Sequence, residues 1–384
     1  GGWVYLFTSS LVRLGIFDDM LTLFLDDQAS IRSLVGSPCT ATLREGGWQL
    51  AGDHGPIVPD RVVQDMFAFV DAGITTFDCA DIYTGVEELI GAFRAQLKQT
   101  HGANIAGQVK IHTKYVPDRD SLATLQFADV EKVIDRSLKR LGQEQLDLVQ
   151  FHWWNYGIPG HAEAISHLET IRKKGKINLI GVTNFDVEHL TELCGVCDIA
   201  SAQIQFSLLD TRAAGAFTKA AQDNNVKLLV YGTLAGGFLT DAWIDRPDPG
   251  FEFKNRSLVK YRLIIEEFGG WDRFQSLLHT LSKIALRQGA DISTVAIRAM
   301  LDNPNVTAAI VGARYANRLP HTLSAFTIEL SADDRNSIQE ILKQRKGPNG
   351  SVFGLERDTA GAHGKIMKYN LNKGDNRIMA GGSS

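Results

Sequence analysis

Four residues stand at or just beyond the ends of three apolar runs. Asp78 closes "TTFD" and Tyr83 follows five residues later in "FDCADIY"; Lys114 ends "IHTK" and His152 ends "VQFH". A carboxylate can hold a neighbouring lysine charged, and a desolvated lysine can instead attack a carbonyl as a Schiff-base amine. Tyrosine and histidine can each move a proton. Singly, each has a structural reading: a buried Asp–Lys pair, a satisfied core histidine, a packed tyrosine. Their common placement at the ends of successive runs argues for chemistry at one mouth. Later runs end in polar residues too: Thr183 and Asn184 in "GVTNFD", Gln203 in "AQIQF", Tyr231 in "VYGTLAGG" and Arg314 in "VGARYANRL".

The elements that would position these residues repeat from about residue 46. Short apolar runs alternate with helix-type runs: "GGWQLAG", "ITTFDCA", "VKIHTKYV", "LDLVQFHW", "INLIGVTN", "IASAQIQFSLL", "VKLLVYGTL" and "TAAIVGA" are the strand candidates. Continuous rather than alternating hydrophobicity marks parallel strands covered on both faces. In "PDRVVQDMFAFVDAG", Pro59 suits the first turn of a helix and Gly73 its end. Eight such units predict an α/β fold, a single-domain (β/α)8 TIM barrel with its active site at the C-terminal strand ends. An open doubly wound sheet would carry GxGxxG after its first strand, and none stands there. The expected division is an N-terminal extension (1–42), the barrel (43–345) and a C-terminal tail (346–384) that covers the mouth or remains partly disordered. The connection containing "DAWIDRPDPGFEFKNRSLVKYRL" reads as a long functional loop.

Composition narrows the classes. Of 384 residues 44% are hydrophobic and 22% charged, with a net charge of -4, which argues against wholesale nucleic-acid or anionic-membrane binding. No apolar run reaches the length of a membrane span. The N-terminal 27 residues lack the order of a secretory signal. The expected location is cytoplasmic, or organellar if that stretch is the remnant of a targeting segment. Cys194 and Cys197 form a CxxC, but without a second pair or histidines at ligand spacing no metal site is expected. Cys79 reads as small-residue packing, and Asp81 as a solvated or loop-capping residue. The oligomeric state is not legible.

The motifs "FDCADIYTGVEELIGAF", "IHTKYV", "LDLVQFHW", "GVTNF", "AQIQFSLL", "YGTLAGGFL" and "VGARYANRL" together resemble the aldo-keto reductase family over about residues 45 to 345. The resemblance implies an oxidoreductase that reduces an aldehyde or ketone to an alcohol, or the reverse, with NADP(H), NAD(H) being the alternative. It implies a catalytic set of Asp78, Tyr83, Lys114 and His152. Tyr83 would be the proton donor, Lys114 the cation lowering its pKa, Asp78 the group holding Lys114, and His152 a donor to the substrate oxygen or a partner in proton transfer. Thr183, Asn184 and Gln203 would hold the nicotinamide carboxamide, with Tyr231 stacked on the ring. Leu234, Gly236 and Gly237 would fold over the pyrophosphate, and Gly312, Arg314 and Arg318 would hold the adenosine phosphate. Trp48, Trp153 and Trp154 are candidates for the pocket of a small carbonyl substrate. The chain departs from the pattern at Thr84, where many relatives have Gly, and at Arg318 and Thr322, where Gln and Asn are common. A second reading is a cofactor-binding regulatory subunit with little turnover.

Overall fold

The computed structural model describes residues 59–83, 85–311 and 316–372. Within them run α1 (Pro59–Asp71), β1 (Thr76–Asp78), α2 (Val86–Gln108), β2 (Lys110–Tyr115), α3 (Phe127–Leu141), β3 (Leu146–Phe151), α4 (His161–Lys173), β4 (Ile177–Thr183), α5 (Val187–Cys194), β5 (Ser201–Gln205), α6 (Ala216–Asp223) and β6 (Lys227–Tyr231). There follow α7 (Arg256–Phe268), α8 (Trp271–Gln288), α9 (Ile292–Leu301), β7 (Val306–Ile310), α10 (Leu319–Ser324), α11 (Ala332–Leu342), α12 (Gly354–Arg357) and α13 (Ala362–Lys365). The strands pair in parallel in chain order, β1 to β7. This is the succession of a (β/α)8 barrel. The run "GGWQLAG", assigned from sequence to the remaining strand, lies outside the described residues.

Local chemistry sets the helices. In α3, Val130, Ile134 and Leu141 recur at helical spacing and are buried, while Asp129 Oδ2 accepts from the Gln126 backbone N–H at 3.0 Å and Gly142 closes the helix at φ 61°. Helix α8 buries Phe274, Leu277, Leu278, Leu281 and Ile284 in the same way. Each such side chain contributes about 1.5–3 kcal/mol on burial.

The strands carry two apolar faces. One packs on the helices. The other holds a separate cluster of Leu148, Ala200, Leu229, Tyr231, Ala308 and Ile310, with Leu179 beside it, and this is the barrel interior. Side chains alternate along a strand. Gln150 and His152 therefore follow Leu148 on the inner face, and Gly181 and Thr183 follow Leu179. Gly181 is required there: a Cβ would stand 2.6 Å from Ser201 Oγ and 3.0 Å from its carbonyl oxygen. Going up the barrel, the apolar filling gives way to polar groups at the C-terminal ends. No helix among the described residues is long and apolar enough to cross a membrane.

Candidate active site

Asp78 sits at the end of β1, buried at 1% exposure. Its Oδ2 accepts from Lys114 Nζ at 2.5 Å, and its Oδ1 from Gln150 Nε2 at 2.8 Å and Gln203 Nε2 at 2.6 Å. Lys114 also donates to the Cys79 carbonyl at 2.7 Å. A buried ion pair repays its desolvation only when the remaining lone pairs and protons are satisfied, and three donors on one carboxylate meet that condition. The Lys114 ammonium lies 5.6 Å from the centroid of the Tyr83 ring.

His152, one residue past β3, places Nδ1 3.0 Å from the Thr183 carbonyl oxygen. That oxygen can only accept, so the ring carries its proton on Nδ1. Burial, reinforced by the positive charge of Arg357, pushes the ring pKa down to about 3. A neutral ring protonated on Nδ1 presents a lone pair at Nε2, and Nε2 is buried with no partner among the described residues. The expectation that His152 donates to a substrate oxygen is corrected in this geometry. The ring is set to accept from a hydroxyl.

Tyr83, Lys114 and His152 line one cleft, with Thr183, Asn184, Tyr231, Leu234 and Gly236 beyond them. Its enclosed volume is about 220 Å³, below the ~300–1,000 Å³ of a typical small-ligand pocket, and it opens to solvent at its mouth. The aldo/keto reductase family model matches residues 42–343. The chain belongs to the aldo/keto reductase family. It is 26% identical to "Aldo-keto reductase YhdN" of Bacillus subtilis over 316 residues, covering 80% of this chain and 92% of that protein. It is 24% identical to the "NADH-specific methylglyoxal reductase" of Escherichia coli, covering 59% of this chain and 68% of that one. The glycerol dehydrogenase AKR11B4 from Gluconobacter oxydans superposes with a TM-score of 0.66 at 25% identity, covering 80% of this chain and 92% of the other. Aldo/keto reductases are oxidoreductases that use nicotinamide cofactors in carbonyl chemistry.

Against that family expectation, the cofactor residues divide. Asn184 holds a positive φ of 63°, and its Oδ1 accepts from Tyr231 O–H at 2.7 Å. Thr183 Oγ1 and Gln203 Oε1 are buried without a partner among the described residues. Of the two, Thr183 lines the cleft, where its hydroxyl fits an amide ligand such as the nicotinamide carboxamide. Gln203 is fully buried and lies behind the wall rather than on it, its NH2 shared between Asp78 Oδ1 and Gln150 Oε1, the latter at 3.0 Å. Gly236 has φ 63°, and a Cβ there would stand 2.7 Å from the Tyr261 ring, so only glycine fits the turn. Gly237 continues that turn behind the cleft lining, at φ 100°. Gly312, Arg314 and Trp48 lie outside the described residues. Arg318 is exposed at the start of α10 and does not line the cleft.

The tryptophans separate as well. Trp154 is a wall of the cleft, its ring edge-on to His152 at 4.4 Å and its Nε1 donating to the Pro117 carbonyl at 2.9 Å. Trp153 is fully buried, packed on Phe151 and donating to the carbonyls of Asn155 and Ile158, each at 3.0 Å. Its place in the substrate set is corrected: it is a core residue. Asp81 is also corrected. It is 1% exposed rather than solvated, accepting from the Val116 N–H at 3.2 Å. Cys79 is buried, and burial pushes its thiol pKa up.

Two parts of the site do not stand at strand ends: the long connection and the tail, both flagged by the sequence as segments without their individual residues. The connection read as a loop contains α7, capped by Asn255 Oδ1 accepting from the Ser257 N–H at 2.8 Å. Arg256, Ser257, Lys260 and Tyr261 of α7 line the cleft. The tail supplies Phe353, Ile366, Met367, Lys368 and Leu371. It is tied down by Asn372, whose backbone N–H donates to Asp118 Oδ1 at 2.9 Å and whose Nδ2 donates to the Val116 carbonyl at 2.8 Å. The signals were the Asn cap followed by i,i+4 cations, and a tail with apolar residues between its polar ones.

Proposed function

We propose that the chain interconverts an aldehyde or ketone and its alcohol with NADP(H) as cofactor. The observation that carries this reading is the meeting of Tyr83, Lys114 and His152 on one cleft wall, with Asp78 locked behind Lys114. When bound, a reduced nicotinamide supplies hydride to the carbonyl carbon. Tyr83 gives its phenolic proton to the developing alkoxide. The Lys114 ammonium favours the phenolate that remains, and Asp78 keeps that ammonium charged and in place. His152 Nε2 accepts from the alcohol hydroxyl, or shares the Tyr83 proton, and so fixes the reacting oxygen. Thr183 and Asn184 would meet the carboxamide and the Tyr231 face the nicotinamide ring, with Gln203 supporting Asp78 from behind the wall. Leu234 and Gly236 would border the pyrophosphate, with Arg256 and Lys260 as its nearest cations among the cleft residues. Placed at the 2′-phosphate instead, the same two cations would favour NADP(H) over NAD(H). Trp154, Phe353, Met367 and Leu371 make the outer pocket apolar, which suits an apolar or aromatic carbonyl.

The test is steady-state oxidation of NADPH and of NADH over a panel of aldehydes and ketones. NADPH turnover is expected, and Tyr83→Phe should lower kcat by ~10²–10⁴ while leaving cofactor affinity within about threefold. A Tyr83→Phe variant that keeps wild-type turnover overturns the proton-donor assignment. Tight cofactor binding with no turnover of any carbonyl would favour a cofactor-binding regulatory subunit.

A further inference from the structure

We propose that His161, His189 and Glu192 form a binding site for a zinc-type divalent cation, outside the cleft. His189 and Glu192 are three residues apart on α5, so they share a helix face. His161 opens the neighbouring α4. One ligand atom from each of the three lies within 4.8 Å of the other two, and His161 Nε2 is 2.8 Å from Glu192 Oε2. Zinc bonds of about 2.0–2.2 Å at tetrahedral angles need donors about 3.3–3.6 Å apart. The present spacing brackets that value, so side-chain rotation alone can close the site.

A second observation points the same way. Asp186 Oδ1 accepts from His189 Nδ1 at 2.7 Å while also capping α5 through the His189 backbone N–H at 3.0 Å. A carboxylate on one ring nitrogen fixes the tautomer and directs the lone pair of the other outward, which is the usual support of a metal-bound histidine. Two imidazoles and one carboxylate suit a borderline cation. The side chains of His161, His189 and Glu192 are 12%, 17% and 48% exposed. Glu192 opens the site to solvent, and three protein ligands leave a coordination position for water, unlike a closed structural centre.

The site touches the catalytic end of β3. The Tyr156 ring stacks on His189 at 3.4 Å, and the Arg357 guanidinium lies 4.1 Å from the same ring centroid. Two groups that close cannot share one face, so Tyr156 is held between them. Arg357 in turn donates to the Trp153 carbonyl at 3.0 Å, next to His152. Ion occupancy would stiffen this stack.

The experiment is calorimetric titration of the chelator-treated full chain with Zn²⁺ alone. One equivalent should bind saturably. Affinity should fall at least tenfold in His189→Ala and in Glu192→Gln, the latter an exposed position whose change leaves the stack intact. Cys194→Ser/Cys197→Ser, further along the same chain segment, should bind as the parent does. Absence of saturation at 1 mM Zn²⁺, unchanged affinity in both His189→Ala and Glu192→Gln, or loss of binding in the cysteine variant each overturns the proposal.

Discussion

Glu356 meets Arg212 through two parallel hydrogen bonds of 3.0 Å, with both side chains buried. Arg212 also pairs with Asp210 at 2.7 Å, and Asp210 accepts from Nε2 of Gln205, the last residue of β5, at 2.6 Å. The tail is thereby riveted to the barrel wall, and Phe353, three residues before Glu356, is set edge-on to His152 at 5.5 Å. A surface ion pair would hold a lid weakly. A buried, doubly bonded one holds it as part of the fold.

Breaking that pair should therefore cost stability. Glu356→Gln leaves the buried Arg212 charge with Asp210 alone, a loss on the order of 1–3 kcal/mol. Burial alone would raise the Glu356 pKa, but Arg212 holds it down at about 2, against an ordinary value of 4.5. The folded state thus binds this proton less readily than the unfolded state. Its stabilisation is fully present above about pH 4.5 and is lost as pH falls towards 2. Urea unfolding at pH 7 and pH 3.5 checks both points: the variant should be less stable at pH 7, and the gap should narrow at pH 3.5. A gap that stays constant contradicts the assignment.

Asp81 has the opposite sign. Burial first, and the Glu87 charge second, raise its pKa to about 7, partly offset by Arg136, the Val116 N–H and Asn372. The folded state holds a proton that the unfolded chain releases near pH 4, so stability falls as pH rises from about 4 to 7. Asp81→Asn keeps the shape and removes the charge. It should melt several degrees higher than the parent at pH 8 and by a clearly smaller margin at pH 5, where only part of the window from about 4 to 7 has been crossed. Equal melting differences at the two pH values would show that Asp81 is already ionised at pH 5.

For His152, the depressed pKa of about 3 means that the unfolded chain binds this proton first as pH drops below 6.5. Its contribution to stability is lost between pH 6.5 and 3. Catalysis near neutrality should not follow a histidine titration. The kcat/KM profile for carbonyl reduction should show no inflection near pH 6.5 that His152→Ala abolishes, although that variant should lose on the order of 10²-fold in rate. A histidine-like step present in the parent and absent in the variant would mean that the ring works as imidazolium.

These four-residue relationships were partly legible in the sequence for a physical reason. Strands covered on both faces are apolar throughout, so the first polar residue after each run marks the mouth, and Asp78, Lys114, His152 and Thr183 stand out at once. Gln150, two residues before His152 on the same inner face, was not singled out, although a period of two points to it. Trp153 and Trp154 defeat this reading, because adjacent residues past a strand end face opposite ways and only the loop path says which one enters the cleft. Phe353 and Met367 reach the site from about 200 residues beyond His152, and no local pattern encodes such a contact. The cluster of His161, His189 and Glu192 hid in the same way: its histidines lie on different helices, 28 residues apart.

Arg256 and Lys260 were overlooked because "KNRSLVKYRL" follows the Pro–Gly turn "RPDPG" in a connection read as a loop, although Asn255 is a good helix cap. One turn apart on α7, both face the cleft, where the Lys260 ammonium is 5.1 Å from the Tyr231 ring centroid. Two cations on one helix turn beside a glycine-bearing loop are placed for phosphates. Arg256→Ala and Lys260→Ala should each weaken NADPH about tenfold, near 1.4 kcal/mol, and reduce the salt dependence of binding. Quenching of protein fluorescence by NADPH and by NADH, at two ionic strengths, separates the outcomes. A loss confined to NADPH places the 2′-phosphate on α7. Equal losses for both cofactors place the shared pyrophosphate there. No loss for either would move the phosphates off α7 altogether.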